Sequence, residues 1–138
     1  MSLESNNFVK IRGKTESSVI SNVISFSGRK VMQVEIGAGD SKSIKPIDGE
    51  NLAAAAKIAH EKGMPIICFV ESSGADILEG VAAVHGWGAA AKEFVKCSGK
   101  VPIIFCVTGA TVSGPALLLG LADFVVMVED SYYWCYQE

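Results

Sequence analysis

Two short apolar runs, each followed by a loop of Gly, Ser and Ala and then by a helical pattern, constrain this sequence most. The runs are Ile66–Val70 and Val101–Val107. Runs of this length without a polar interruption are typical of strands buried on both faces of a parallel sheet. Between them, apolar residues recur every three or four positions from Ile77 onward, and Gly99 closes the pattern, which predicts a long amphipathic helix. The alternation predicts an α/β fold with a parallel sheet and crossover helices.

The remaining elements follow from local signals, and 138 residues suffice for one domain. We interpret 1–138 as a single domain and expect 1–8, rich in Ser and Asn, to be a flexible N-terminus. An aromatic cluster at Tyr132–Tyr136 is expected to be covered by the same core or by a partner. The other predicted elements are a hairpin of Ser18–Phe26 and Lys30–Ile36, an exposed loop over Gly37–Ile47, a helix capped by Asp48 and including Leu52–Ala59, a short helix over Pro115–Leu121, and a strand over Phe124–Val128.

Charge and composition exclude several classes of function. Twelve basic and fifteen acidic residues give a formal charge of −3 without a basic stripe, so we expect no nucleic-acid partner. No apolar run approaches the roughly eighteen residues of a membrane span, and the N-terminus lacks the apolar core of a signal peptide, which predicts a cytoplasmic protein. Four cysteines without a C-x-x-C pair favour free thiols. With two histidines and no acid-rich loop, we expect no metal site.

The two small-residue loops are the candidate sites, because each joins the carboxyl end of a strand to the start of a helix. Backbone N–H groups in such loops can bind an oxyanion, and small residues leave room for the approach. The alternative is that both loops are only tight turns. Neither matches a dinucleotide or phosphate-binding glycine motif. Glu71 and Glu79 flank the first loop and are a second candidate, a carboxylate pair for acid/base work, or else ordinary strand-end and helix residues.

These loops resemble those of a known family. Residues 71–81, Glu-Ser-Ser-Gly-Ala-Asp-Ile-Leu-Glu-Gly-Val, resemble the D-S-G-G-A-R-x-x-E-G-V segment of the carboxyltransferase (beta) subunits of biotin-dependent acyl-CoA carboxylases, of the propionyl-CoA and acetyl-CoA type. Gly109–Phe124 aligns without gaps to the family's G-P-C-A-G-G-A segment and its closing T-D-F, here Ala122-Asp123-Phe124. The resemblance covers roughly Val9 to Tyr133.

The resemblance implies a crotonase-like fold of the superfamily that also includes the Clp peptidases. In this fold an acyl-CoA thioester lies across the loops, and backbone amides hold its carbonyl oxygen while the enolate forms. The implied donors are the N–H groups of Ser73, Gly74 and Gly114. The implied substrate-binding residues are Ala75, Asp76, Gly109 and Ser113. By charge alone, the candidates for contact with coenzyme A phosphates are Arg12, Arg29, Lys42 and Lys45.

The same resemblance implies the co-substrate and the partners. No cofactor is expected to bind tightly; carboxybiotin arrives on a separate carrier, and a short acyl-CoA is the acceptor. The expected partners are the biotin carboxyl carrier and biotin carboxylase subunits, together with a second copy or a partner carboxyltransferase half. The chain stops before the family's first domain is complete, so it is either a fragment or in need of a partner chain. Ser73, Ser113 and Asp76 replace two glycines and an arginine of the family, and Pro115 removes an N–H.

Three alternatives stay open. Ser113 occupies a position close to that of the nucleophile in Clp-type serine peptidases, although no histidine follows it and only His85 could serve as base. An enoyl-CoA hydratase or isomerase would use Glu79. A non-catalytic half-domain would bind acyl-CoA or only assemble with a partner.

Overall fold

The computed structural model describes residues 8–10 and 16–135. Residues 1–7 of the expected flexible N-terminus and Tyr136 of the aromatic cluster lie outside that part, while Phe8 begins a strand. Short 3₁₀ turns occupy Ile77–Glu79 and Leu119–Leu121. The strands and helices are β1 (Phe8–Lys10), β2 (Val19–Phe26), β3 (Arg29–Ile36), β4 (Ser43–Ile44), α1 (Pro46–Lys62), β5 (Ile66–Ser72), β6 (Gly74–Ala75), α2 (Val81–Cys97), β7 (Ile103–Val112), α3 (Gly114–Leu118), β8 (Phe124–Met127) and β9 (Tyr132–Trp134).

A mixed sheet organises the chain, with the strand order β1-β2-β3-β5-β7-β8. β2 and β3 form the predicted antiparallel hairpin, and β3, β5, β7 and β8 run parallel, as the alternation of strand and helix predicts. β9 pairs with the far end of β7, and β4 pairs with β6 in a separate parallel ribbon. The carboxyl ends of β3, β5 and β7 therefore meet at one edge of the sheet.

β7 is longer than predicted and absorbs most of the second loop. It continues from Val107 to Val112, so Gly109 lies within a strand. The pairing with β5 shifts between Val70 and Ser72, and the hydroxyls of Thr108 and Thr111 both donate to the Val70 carbonyl, at 3.2 and 3.3 Å. Beyond this irregularity Thr111 pairs with Ser72, and the last three residues of β7 pair with β9.

Helix α1 begins earlier than predicted, because Pro46 occupies its first turn, where the missing N–H has no cost. Asp48 is therefore inside the first turn rather than at the cap. Its buried carboxylate accepts hydrogen bonds from the Lys45 N–H at 2.7 Å, the Ser18 N–H at 2.6 Å and the Ser17 hydroxyl at 2.7 Å. The residue satisfies the helix start and ties it to β2.

Helix α2 begins later than predicted. Asp76 caps a 3₁₀ turn at Ile77–Glu79, and Gly80, at φ 52° and ψ −130°, interrupts the chain before Val81. Ile77 and Leu78 are consequently 93% and 96% exposed rather than buried on the helix. The apolar pattern therefore predicts the helix correctly only from Val81 onward.

The core lies between the sheet and the α1–α2 pair. Leu52, Ala55, Ala56 and Ala59 of α1 are buried there with Phe94 of α2. The two helices approach closely where both carry glycine: a Cβ on Gly49 would lie 2.3 Å from the Gly86 carbonyl carbon, and a Cβ on Gly86 would lie 2.7 Å from the Pro46 oxygen. Small residues thus determine how the helices pack against each other and against the sheet.

The last two strands leave a large apolar surface exposed. All four residues of β8 are exposed, with Phe124 at 67%, and so are all three of β9, with Trp134 at 61%. The sequence Phe-Val-Val-Met is typical of a strand buried on both faces, yet here it has both faces open.

None of the helices in the described part of the chain has the length and hydrophobicity that a membrane span needs.

Candidate functional site

The two loops singled out in the sequence lie against each other at the carboxyl ends of β5 and β7. A Cβ on Gly74 would lie 3.2 Å from Ser113 Cβ and 3.3 Å from Val112 Cγ2. Gly74 itself has φ 96°, which L side chains rarely adopt. The backbone conformation therefore favours glycine here, the space around it is tight, and the two loops are in contact.

Ser113 has an unusual backbone at the turn from β7 into α3. Its φ is 63° and its ψ is −132°, in a region that favours glycine, which is the residue of the resembled family at this position. Its N–H donates to the Trp134 carbonyl at 2.8 Å, so β9 holds the turn from outside. The Ser113 side chain is exposed, and neither His85 nor any other described side chain hydrogen-bonds to its hydroxyl.

Gly114 packs on Trp87, a contact that the sequence reasoning missed. A Cβ on Gly114 would lie 3.1 Å from Trp87 Cδ1 and Cγ. Trp87 is 8% exposed, and its indole N–H is buried without a hydrogen-bond partner among the described residues. In the sequence Trp87 is only one apolar position of the α2 pattern. A tryptophan facing a glycine across two elements leaves no local signal.

The three expected N–H donors differ in availability. The Ser73 N–H donates to the Lys42 carbonyl at 3.0 Å, and the Gly74 N–H donates to Ser72 Oγ at 3.1 Å. The Gly114 N–H, at the first position of α3, has no hydrogen-bond partner among the described residues, 8–10 and 16–135. Of the three, Gly114 therefore offers a donor without breaking an existing hydrogen bond.

Ala75 and Asp76 are held by the β4–β6 ribbon. Ala75 pairs with Ile44, and the Asp76 N–H donates to the Ile44 carbonyl at 2.8 Å. The Asp76 carboxylate accepts from the Leu78 N–H at 2.9 Å and from the Ser43 hydroxyl at 3.1 Å. The charge that replaces the family's arginine is thus occupied in capping the 3₁₀ turn.

Gly109 lies against Glu71, which lines a neighbouring cleft of about 530 Å³ together with Lys42 and Thr108. A Cβ on Gly109 would lie 2.7 Å from Glu71 Cγ and Cδ. Glu71 pairs with Lys42, whose Nζ lies 3.2 Å from Glu71 Oε2 and donates to the Gly37 carbonyl at 2.9 Å. Glu71 is thus partnered by a lysine, and the suggested carboxylate pair with Glu79 has no contact to support it.

The basic candidates for coenzyme A separate into two groups. Lys42 lines the cleft beside the loops, and Lys45 immediately precedes α1 at the same edge of the sheet. Arg29 begins β3 at the opposite end of the sheet, and Arg12 lies outside the described residues. Only Lys42 and Lys45 stand near the candidate site.

Burial sets the character of the thiols, none of which lies in the loops. All four cysteines are free. Burial, assisted by the neighbouring Cys106 and Cys97, raises the pKa of the Cys68 thiol far above its ordinary value. Burial also raises the pKa values of Cys97 and Cys106. No group of three His, Cys, Asp or Glu side chains in the described part of the chain is placed to hold a metal ion.

Known proteins share this fold. One chain of a Pseudomonas malonate decarboxylase hetero-dimer superimposes on this chain with a TM-score of 0.86 at 16% identity. The match covers 98% of this chain and 61% of the malonate decarboxylase chain. The propionyl-CoA carboxylase beta chain of Roseobacter denitrificans is 31% identical over 91 residues, which are 66% of this chain and 18% of that protein. The acetyl-coenzyme A carboxylase carboxyl transferase subunit alpha of Chlamydia caviae is 38% identical over 81 residues, 56% of this chain and 24% of that protein.

The architecture and its loop pair define a crotonase-like α/β domain, which confirms the expected fold class. The sequence matches the carboxyl transferase domain family over residues 5–134, and the chain belongs to that family. The matched segments cover less than a quarter of the length of each of the two carboxylase subunits. The resemblance to the carboxyltransferase subunits of acyl-CoA carboxylases is therefore confirmed, for part of such a subunit.

Proposed function

We propose that the chain provides the acyl-CoA side of a carboxyltransferase, which moves a carboxyl group from carboxybiotin to a short acyl-CoA. The observation that carries the proposal is the meeting of Gly74 and Ser113 at the strand ends, next to the Gly114 N–H, which has no partner among the described residues. An N–H fixed at such a position can donate a hydrogen bond to a thioester oxygen and so stabilise the negative charge that develops on it.

The residues around Gly114 suit a reaction whose base does not come from the protein. The Asp76 carboxylate caps a turn, Glu71 pairs with Lys42, and no described imidazole reaches Ser113. Carboxybiotin, as the co-substrate, supplies both the carbon dioxide and the base that removes the α proton. The chain then has to place the thioester carbonyl on the Gly114 N–H and exclude competing groups.

The first loop has a supporting role in this proposal. Buried Ser72 accepts from the Gly74 N–H and donates to the Lys42 carbonyl at 3.0 Å, so it fixes both the loop and the backbone at Lys42, just before β4. Gly74 provides a surface without a side chain next to Ser113. We assign contact with the phosphates of coenzyme A to Lys42, which also pairs with Glu71, and to Lys45, because both lie near the loops.

The partners proposed are the biotin carboxyl carrier and biotin carboxylase subunits, and a second carboxyltransferase half. The exposed faces of β8 and β9 support the need for a partner, because apolar areas of this kind mark interaction surfaces. The malonate decarboxylase relative is a hetero-dimer, which is consistent with a paired assembly in this fold.

A non-catalytic half-domain that only binds acyl-CoA or assembles with a partner is the second candidate. The observation favouring it is that the Ser73 and Gly74 N–H groups are already engaged. Fewer free donors mean weaker stabilisation of an enolate, while binding of the rest of the acyl-CoA is unaffected.

The reverse reaction distinguishes the two. The chain, with the partner half if one copurifies, is incubated with malonyl-CoA or methylmalonyl-CoA and biocytin, and the formation of acetyl-CoA or propionyl-CoA is followed. Biocytin-dependent turnover supports the carboxyltransferase; binding without turnover supports the half-domain. A peptidase would instead show Ser113 labelled by a fluorophosphonate.

A further inference from the structure

A second cleft, of about 1200 Å³, lies at the opposite end of the sheet from the candidate site. Its walls are the β2–β3 turn around Gly28, the end of α1 at Lys62, and the segments that lead into β5 and β7. The length of β5 separates it from the two loops by roughly 20 Å. It takes no part in the proposed carboxyl transfer.

The charge of this cleft is opposite to that of the protein. Arg29, Lys30, Lys62 and Lys100 line it, and none of the fifteen acidic residues belongs to its described lining. Eight basic and fifteen acidic residues remain elsewhere, so the rest of the chain has a formal charge of −7. A cleft lined by one sign of charge over low-dielectric walls concentrates its field on a ligand of the other sign.

These cations are not neutralised by the described part of the protein. Described ion pairs engage Lys42, Lys57 and Lys96, but none of the four cleft residues. Lys100 Nζ lies 3.3 Å from His60 Nε2, and no carboxylate among the described residues pairs with it. Lys62 follows the general preference for cations at helix C-termini, but Arg29 and Lys30 belong to a hairpin and are not explained by a helix end.

The floor of the cleft is apolar and firmly held. Ile24, Met64 and Val101 are buried beneath it. The Pro65 carbonyl accepts from the Met32 N–H at 2.9 Å, and the Pro102 carbonyl accepts from the Ile66 N–H at 2.8 Å, so both walls are fixed to the sheet. An apolar floor below a basic rim has two chemistries to offer a single ligand.

We propose that this cleft binds an amphipathic anion, with an apolar body on the floor and a phosphate or carboxylate head at the basic rim. The cleft is larger than an inorganic anion needs. Contact with the apolar floor would also not offset the cost of desolvating such an ion. A lysine or arginine at the rim binds the head through charge-assisted hydrogen bonds.

Titration calorimetry of the whole chain with decyl phosphate tests the proposal, with decanoate to compare the two head groups. Inorganic phosphate and decyltrimethylammonium are the controls for the head alone and for an apolar body of opposite charge. We expect saturable binding of decyl phosphate at one site, weakened by added salt, and no comparable binding of either control. Tighter binding of decyl phosphate than of decanoate would assign a phosphate head, and the reverse a carboxylate head.

Two double variants, Arg29→Gln with Lys30→Gln and Lys62→Gln with Lys100→Gln, should each weaken the binding by about tenfold or more. Lys92→Gln, an exposed lysine outside the cleft, should leave it unchanged. Absence of decyl phosphate binding by the folded wild-type chain overturns the proposal, and so does binding that both double variants retain. If a double variant does not fold, its single substitutions and the salt titration of the wild type decide. If the variant with Lys62→Gln and Lys100→Gln loses thermal stability and the wild type binds no decyl phosphate, the two lysines only stabilise the helix ends.

Discussion

At the scale of single residues, Ser113 and Gly114 combine strain with close contact. Ser113 is held at φ 63° although it has a side chain, and Gly114 lies so close to Trp87 that a Cβ would be in tight contact with the indole ring. Neither fact could be predicted from the sequence, which shows only a serine in place of a family glycine. The sequence also could not show which N–H groups are free to bind a ligand. The Ser73 N–H is occupied by the Lys42 carbonyl and the Gly74 N–H by the Ser72 hydroxyl, and tertiary structure sets both contacts.

The strain at Ser113 predicts that Ser113→Gly stabilises the fold. Glycine adopts this φ without steric cost but loses more entropy on folding, so we expect a net gain of about 1 kcal/mol in the free energy of unfolding. Urea denaturation measures it. Ser73→Gly, at an exposed position without positive φ, is the control and should not stabilise. A loss of stability in Ser113→Gly would show that the side chain, rather than the backbone, determines this turn.

The raised thiol pKa values predict the order of cysteine modification. Only the thiolate reacts readily, so buried Cys68, whose pKa is raised by desolvation, should resist iodoacetamide in the folded protein at mildly alkaline pH. Exposed Cys135 should react first. Peptide mass spectrometry after timed labelling identifies the modified residues. Modification of Cys68 as fast as that of Cys135 would contradict the described core.

At the scale of elements, the sequence predicts what is encoded locally. The hairpin, β5, the body of α1 and β8 follow from apolar runs and turn residues. All of them are present, and their ends lie within four residues of the predicted ends. The errors occur where a tertiary contact decides: Asp48 reaches back to β2, Gly80 interrupts the α2 pattern, and β7 extends through a region of small residues because β5 and β9 pair with it. Pro46 was a usable signal for the true start of α1.

The close packing of α1 on α2 predicts opposite effects for two glycines of one helix. Gly86→Ala would place its Cβ 2.7 Å from the Pro46 oxygen, and we expect a loss of about 2 kcal/mol or more. Gly88→Ala meets nothing within 4 Å and should add about 0.5–1 kcal/mol through helix propensity. Thermal unfolding of both variants provides the comparison. Equal effects would mean that the two helices are not in this contact.

At the scale of the whole molecule, the main feature is the apolar surface that β8 and β9 leave exposed. The sequence indicated the problem through its terminal aromatic cluster, but not that β8 would be uncovered on both faces. The basic cleft was also invisible in the sequence, since its four cations are brought together only by the fold. The two loops of the candidate acyl-CoA site, by contrast, are each recognisable in the sequence as a small-residue segment between a strand and a helix.

The open surface predicts association. We expect light scattering to give a mass above that of one chain, or a stable complex with a partner half. Phe124→Arg should reduce that mass, because it places a charge in the interface. Val95→Arg, on the exposed side of α2 at 57% exposure, is the matched control. A monomer that is indifferent to both changes would argue against a partner on this surface.

Calorimetric binding of propionyl-CoA to the chain and to its Gly114→Val variant tests the central claim most directly. The account predicts micromolar binding by the wild type and a loss of about tenfold or more in the variant, whose side chain meets Trp87 and displaces the donor N–H. Gly120→Val, at an open position, should bind as the wild type does. Absence of binding by the folded wild-type chain, or equal binding by the folded Gly114→Val variant, would contradict the claim that these loops form the acyl-CoA site.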